Sequence, residues 1–88
     1  LARILIQSSN PVNTEREAQE ANAELLRLID KRGLTDTTLI GPAPCFFRKI
    51  DKVYRWQILI RSHEPLKLLR GFHVRKGWYV DLDALDVL

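Results

Sequence analysis

"VYRWQILIR", residues 53–61, decides the fold, because its apolar residues recur with a period of two. Tyr54, Trp56, Ile58 and Ile60 fall on one side of an extended chain, and Arg55, Gln57, Leu59 and Arg61 fall on the other. Burying the isoleucines therefore buries both rings and turns both arginines to water. An aromatic platform contributes about 1–3 kcal/mol per stacked base in single-strand binders. The shared phase assigns Tyr54 and Trp56 to core packing instead.

The flanking segments repeat this logic. "ARILIQS" (2–8) alternates Ala2, Ile4 and Ile6 against Arg3, Leu5 and Gln7, which predicts a half-buried strand. "SSNPVNTERE" (8–17) opens a helix, with Pro11 in its first turn and Thr14 and Glu17 spaced as a capping box. Ala18, Ala21, Leu25, Leu28 and Ile29 recur on one helical face, and Gly33 stands where a helix stops. "TDTTLIGPAP" (35–44) reads as a second strand at a sheet edge, because Pro42 and Pro44 cannot donate to a ladder. "SHEPLKLLRGF" (62–72) predicts a short helix begun by Pro65, with Leu66 and Leu69 inward. "WYVDLDALDVL" (78–88) predicts a last strand, with Trp78, Val80 and Leu82 on one side and Tyr79, Asp81 and Asp83 on the other.

Strand, helix, strand, strand, helix, strand is the order of an α+β, ferredoxin-like βαββαβ sandwich, an antiparallel sheet with two helices on one face. Its first and third strands are expected at the centre. The uncovered face should then display Arg3, Leu5, Gln7, Arg55, Gln57, Leu59 and Arg61.

Eighty-eight residues make a single domain, 1–88, that buries only roughly 60–65% of its unfolded surface. No apolar run approaches the roughly 18–20 residues that span a bilayer, so no membrane partner is expected. One cysteine, Cys45, allows no internal disulfide and fits a reducing cytoplasm. The chain lacks an initiating methionine and starts inside an apolar run, so it is expected to be part of a longer chain. The net charge of +3 is unevenly spread: residues 1–44 balance to −1, residues 45–77 to +7 and residues 78–88 to −3. That asymmetry suits a polyanionic partner, and it also fits the solvated face of a basic protein.

Catalytic patterns are missing. His63 and His73 have no nucleophile and orienting acid in reach of the pattern, and one cysteine with two histidines makes no zinc site. No phosphate-binding GxxxxGK[ST] loop occurs, so neither catalysis nor a cofactor is expected of this segment. Asp81 and Asp83 read as solvated carboxylates, and Cys45 as a small filler beside the prolines.

Binding is the better reading. Arg48, Lys49 and Lys52 lie on the approach to "VYRWQILIR", and Arg55 and Arg61 project from its polar face. Cations on a loop and an adjoining sheet face can follow phosphates without reading bases. An RNA-recognition domain of the same topology would need aromatics on the open face, where the phase does not put Tyr54 or Trp56. A protein-interaction module with a basic face that does not itself bind DNA remains a second reading.

"GPAPCFFRKIDKVYRWQILIR" (41–61), the preceding helix "EREAQEANAELLRLI" (15–29) and the tail "GWYVDLDALDVL" (77–88) resemble one family. It is the C-terminal domain of the replication-restart DNA helicase PriA, or primosomal protein N′. Trp78, Val80, Asp81, Leu82 and Asp83 follow that family's tail, with Ala84 where proline is common. The resemblance implies a 3′-to-5′ helicase acting at stalled forks, with ATP, Mg and Zn held by parts of the parent chain upstream. It further implies three partners: forked or single-stranded DNA, the parent's helicase lobes, and the acidic tail of the single-stranded-DNA-binding protein. Lys67 and Arg70 are the candidates for that tail.

Overall fold

The structure, a computed structural model, describes residues 1–45 and 53–82. Six elements follow in chain order: β1 (Ala2–Ser8), α1 (Pro11–Arg32), β2 (Thr38–Pro44), β3 (Tyr54–Arg61), α2 (Pro65–Leu69) and β4 (Trp78–Asp81). The strands form one antiparallel sheet in the order β2-β3-β1-β4, so β1 and β3 are central as expected. The α+β, ferredoxin-like arrangement read from the sequence is the one observed.

Seven residue pairs, from Ala2–Ile60 to Ser8–Tyr54, register β1 on β3. Side chains directly opposite share a face, so Ala2, Ile4 and Ile6 stand beside Ile60, Ile58 and Trp56. Against them α1 lays Ala18, Ala21, Leu25 and Leu28. Ala18 and Ala21 are small, which brings the helix axis close enough for Leu25 to reach the isoleucines. Ile4, Ile6, Leu25, Ile58, Ile60 and Leu68 are completely buried. Trp56 packs against this core from its rim, on the face the alternation assigns it.

The helix starts differently from expectation. Asn10 is the cap: its side-chain oxygen accepts from the backbone N–H groups of Val12 (2.9 Å) and Asn13 (3.0 Å), and Pro11 follows as the first helical residue. Thr14 and Glu17 therefore make no capping box. Thr14 is buried one turn inside, donating to the Asn10 carbonyl and bonded to the Ser8 hydroxyl. Glu17 is used elsewhere, accepting from the Trp78 indole Nε1 at 2.8 Å. The other end is as expected, with Gly33 in the left-handed region and its N–H returned to the last turn.

Two more expectations are corrected at the small second helix and the last strand. Leu68 is the completely buried leucine of α2, Leu69 is half-buried, and Leu66 is 63% exposed. Five residues are too few to carry a helical period, and the direction of α2 is set from outside by Arg32. The guanidinium of Arg32 donates to the carbonyls of Lys67 (2.8 Å), Leu68 (3.0 Å) and Arg70 (2.7 Å), closing the end of α2. On β4, Trp78 enters the core but Val80 and Leu82 stay exposed, because the short α2 leaves that corner of the sheet uncovered. Asp83 lies outside the described residues.

The start of β4 is held tightly. Trp78 stacks on Phe72 with ring centroids 6.0 Å apart, and the Arg75 guanidinium lies 5.0 Å over the indole while bonding Glu20 at 2.9 Å. Gly77 turns the chain at φ 88°, where a Cβ would approach the Gln7 carbonyl oxygen to 2.8 Å. Only glycine brings the strand this close to β1.

The strand phase has a direct test by urea denaturation. Ile58→Ala, on the buried face, should lose about 2–5 kcal/mol of stability, whereas Leu59→Ala, on the opposite face, should lose under about 1.5 kcal/mol. Equal losses would mean that the two faces are not segregated.

Candidate nucleic-acid interface

The sheet face turned away from the helices is uncovered among the described residues, and its layout follows from the registers. One row across the strands runs Ile40, Leu59, Arg3, Asp81, and the next runs Gln57, Leu5, Tyr79. Beyond them, Thr38 stands opposite Arg61 at one end, and Arg55 stands opposite Gln7 at the other. The face is therefore mixed: three arginines, one aspartate, a band of leucine and isoleucine, and one tyrosine.

Its arginines are held to different degrees. Arg55 is half-buried, with its Nε donating to the Gln7 Oε1 at 3.1 Å. That bond lays the side chain along the sheet and leaves the outer guanidinium nitrogens unassigned. Arg3 faces Asp81 at a loose 3.7 Å, and its Nε has no hydrogen-bond partner among the described residues. Arg61 is exposed at the end of β3. Arg3, Arg55 and Arg61 thus share the face foreseen for them. Arg48, Lys49 and Lys52 lie outside the described residues, as do Phe46 and Phe47.

Lys67 and Arg70 are both exposed at the far end of the molecule, where they line a groove with Arg32, Leu34, Glu64 and Leu66. Lys67 is 3.7 Å from Glu64, so part of its charge is offset locally. Arg32 cannot serve as a mobile cation, since its guanidinium is occupied by backbone carbonyls. The groove nevertheless combines an exposed leucine with the free-standing head group of Arg70, a pairing suited to an acidic, partly apolar peptide end.

Tyr79 was legible only in part. The alternation places it opposite Trp78 in phase, and the structure sets it 57% exposed on the open face, across from Leu5. An aromatic on this face is what the RNA-recognition reading required and what Tyr54 and Trp56 do not provide.

Cys45 continues the edge of β2, its N–H donating to the Arg55 carbonyl at 2.9 Å. Burial pushes its thiol above the ordinary value, and the nearby guanidinium groups of Arg3 and Arg55 offset this only in part. Among the described residues no three His, Cys, Asp or Glu side chains group as a metal site, and no helix is long and apolar enough to cross a membrane.

A family model described as the primosomal protein N C-terminal domain matches residues 1–85 of the chain. No curated protein matches it.

The raised thiol pKa makes Cys45 a poor nucleophile at neutral pH. Its alkylation by iodoacetamide should be slower than that of an unfolded control at pH 7.5, and should climb about tenfold per pH unit toward alkaline pH. Neutral-pH labelling as fast as in the unfolded chain would contradict the half-buried site.

Proposed function

Because the chain belongs to the primosomal protein N C-terminal domain family, we propose that it is an accessory DNA-binding and docking module of a replication-restart helicase. Family membership ties it to the primosome; contact with DNA is our reading of the site. The observation that carries this reading is the sharing of one uncovered sheet face by Arg55, Arg61 and Arg3, away from the core that stabilises the fold. Such cations follow a phosphate backbone without reading sequence. Arg48, Lys49 and Lys52, on the segment that leads into β3, extend the same grip.

The rest of the reading concerns the parent chain. Its helicase lobes supply the ATP-dependent, 3′-to-5′ activity at stalled forks in the cytoplasm with ATP and Mg, and its cysteine-rich insert holds Zn. None of those groups is assigned to residues of this domain. The groove at Lys67 and Arg70 receives the acidic tail of the single-stranded-DNA-binding protein, with Leu66 offering apolar contact beside the cations.

The apolar band formed by Ile40, Leu59 and Leu5 favours a second reading, in which the same face docks on the helicase lobes. In that case the arginines orient the dock and DNA affinity does not depend on them.

Titration of fluorescent fork DNA with the full-length protein at several salt concentrations separates these readings. Neutralising about four phosphates gives a slope of log affinity against log salt near −3 for a single strand. Arg55→Ala with Arg61→Ala should weaken binding and flatten that slope by roughly 1. Arg48→Ala, Lys49→Ala and Lys52→Ala together should weaken it further. If affinity and slope are unchanged in both variants, the DNA reading fails and the docking reading stands. Lys67→Ala with Arg70→Ala should weaken capture of an acidic tail peptide while leaving fork affinity as it was.

A further inference from the structure

We infer that Tyr79 is a stacking platform for one unpaired base of single-stranded DNA, on the edge strand β4 at the end of a path that crosses the open sheet face. The inference rests on the DNA-binding reading above and adds what that reading lacks, a contact to the base itself.

Exposure is the first ground. Tyr79 is 57% accessible on a strand whose preceding residue, Trp78, is buried, so its ring is not needed by the core. A tyrosine carries two ring faces and a hydroxyl and is ordered by only two side-chain torsions, so it offers contact area at little entropic cost. Beside it stands Leu5, its direct cross-strand partner on the same face.

Placement of charge is the second ground. Neighbouring strands are about 4.8 Å apart and alternate residues along a strand about 6.7 Å apart. From the registers, Arg3 then lies about 8 Å from Tyr79 and Arg55 about 12 Å from it. Both are close enough to meet the phosphates flanking a nucleotide stacked on the ring. Arg3 is the better placed, since it is nearer and its ion pair with Asp81 is long. Arg61 lies further along the same face and continues the path.

The chemistry selects the ligand. A base stacks on tyrosine only when it is splayed from its partner, so the site favours single strands or fork arms over continuous duplex. Because every base has a π-face, the site is indifferent to sequence. A protein occupant would cover the same apolar band without needing an unpaired ring. Among the described residues the face carries three arginines against one aspartate, which favours the polyanion.

The test uses the full-length protein and a fluorescein-labelled oligo(dT) strand. Tyr79→Ala should lower affinity on the order of tenfold, with the salt slope unchanged, because stacking releases no counterions. Tyr79→Phe should restore affinity, and both variants should keep the parent thermal midpoint. An oligo carrying 5-iodouracil should photocrosslink to Tyr79. Unchanged affinity in Tyr79→Ala, or crosslinks that map only to residues 46–52, would overturn the inference. If Arg55→Ala with Arg61→Ala still flattens the salt slope, the DNA-binding reading survives that failure. If neither set of variants alters DNA binding, both readings fall, and the face is a protein dock.

Discussion

The pairing of β1 with β3 is the constraint on which the molecule depends. Over seven pairs it brings Ala2, Ile4 and Ile6 level with Ile60, Ile58 and Trp56, and these side chains make up most of the sheet's share of the core. A slip of one residue would turn one strand's isoleucines outward and drive its arginine, Arg3 or Arg55, under α1. Burying an unpaired guanidinium group there would cost several kcal/mol, so the register is strongly specified. The same pairing that builds the core thereby assembles the arginine face. No separate feature of the sequence is needed to bring Arg3 onto the same face as Arg55 across 52 positions of chain.

Long helix α1 spreads this order to the two weaker elements. Near its start, Glu17 holds the Trp78 indole and Glu20 holds Arg75, which fastens the segment leading into β4. At its end, Arg32 gathers the last carbonyls of α2. These contacts change the meaning of the chain's positive charge. Arg27 is bound to Glu24, Arg75 to Glu20, Arg32 to backbone, and Lys67 leans on Glu64. A count of cations along the sequence treats all of them as available to a polyanion. Several are fasteners, and the available charge is smaller and more localised than the count suggests.

The elements that could be read from sequence are those with enough length to show a period. The period-two runs at 2–8 and 54–61 give both strand and facing, and the 22-residue helix shows its apolar stripe and its glycine stop. Where the reading failed, two local signals competed or the element was too short. Thr14 and Glu17 have the spacing of a capping box, but Asn10 followed by Pro11 is a cap already set for the first turn, and it wins. Thr14 is then free to join Ser8, and Glu17 to hold Trp78. In α2, a five-residue helix offers no period, and its burial is decided by an arginine thirty-odd positions upstream. For the site, the facing of Arg55, Arg61 and Tyr79 was legible from alternation. The Arg55–Gln7 bond was not, because it joins residues 48 positions apart.

A domain this small normally has little stability to spare for function. Here the two demands fall on opposite sides of one sheet. The completely buried residues Ile4, Ile6, Ile58 and Ile60 point toward α1, and the residues that alternate with them point away. Leu5 and Leu59 on the open face are half-buried by their neighbours alone, so they stabilise the sheet without being sealed by a helix. Substitution among Arg3, Arg55, Arg61 and Tyr79 therefore leaves the core contacts intact. Among the described residues no element lies across the open face, since both helices sit on the other side of the sheet. A longer final helix would bury Val80 and stabilise that corner, but it would pack on the side already occupied by α1. The uncovered side stays apolar in its middle and cationic around it, a surface that water wets poorly and that a stacked, negatively charged strand can cover.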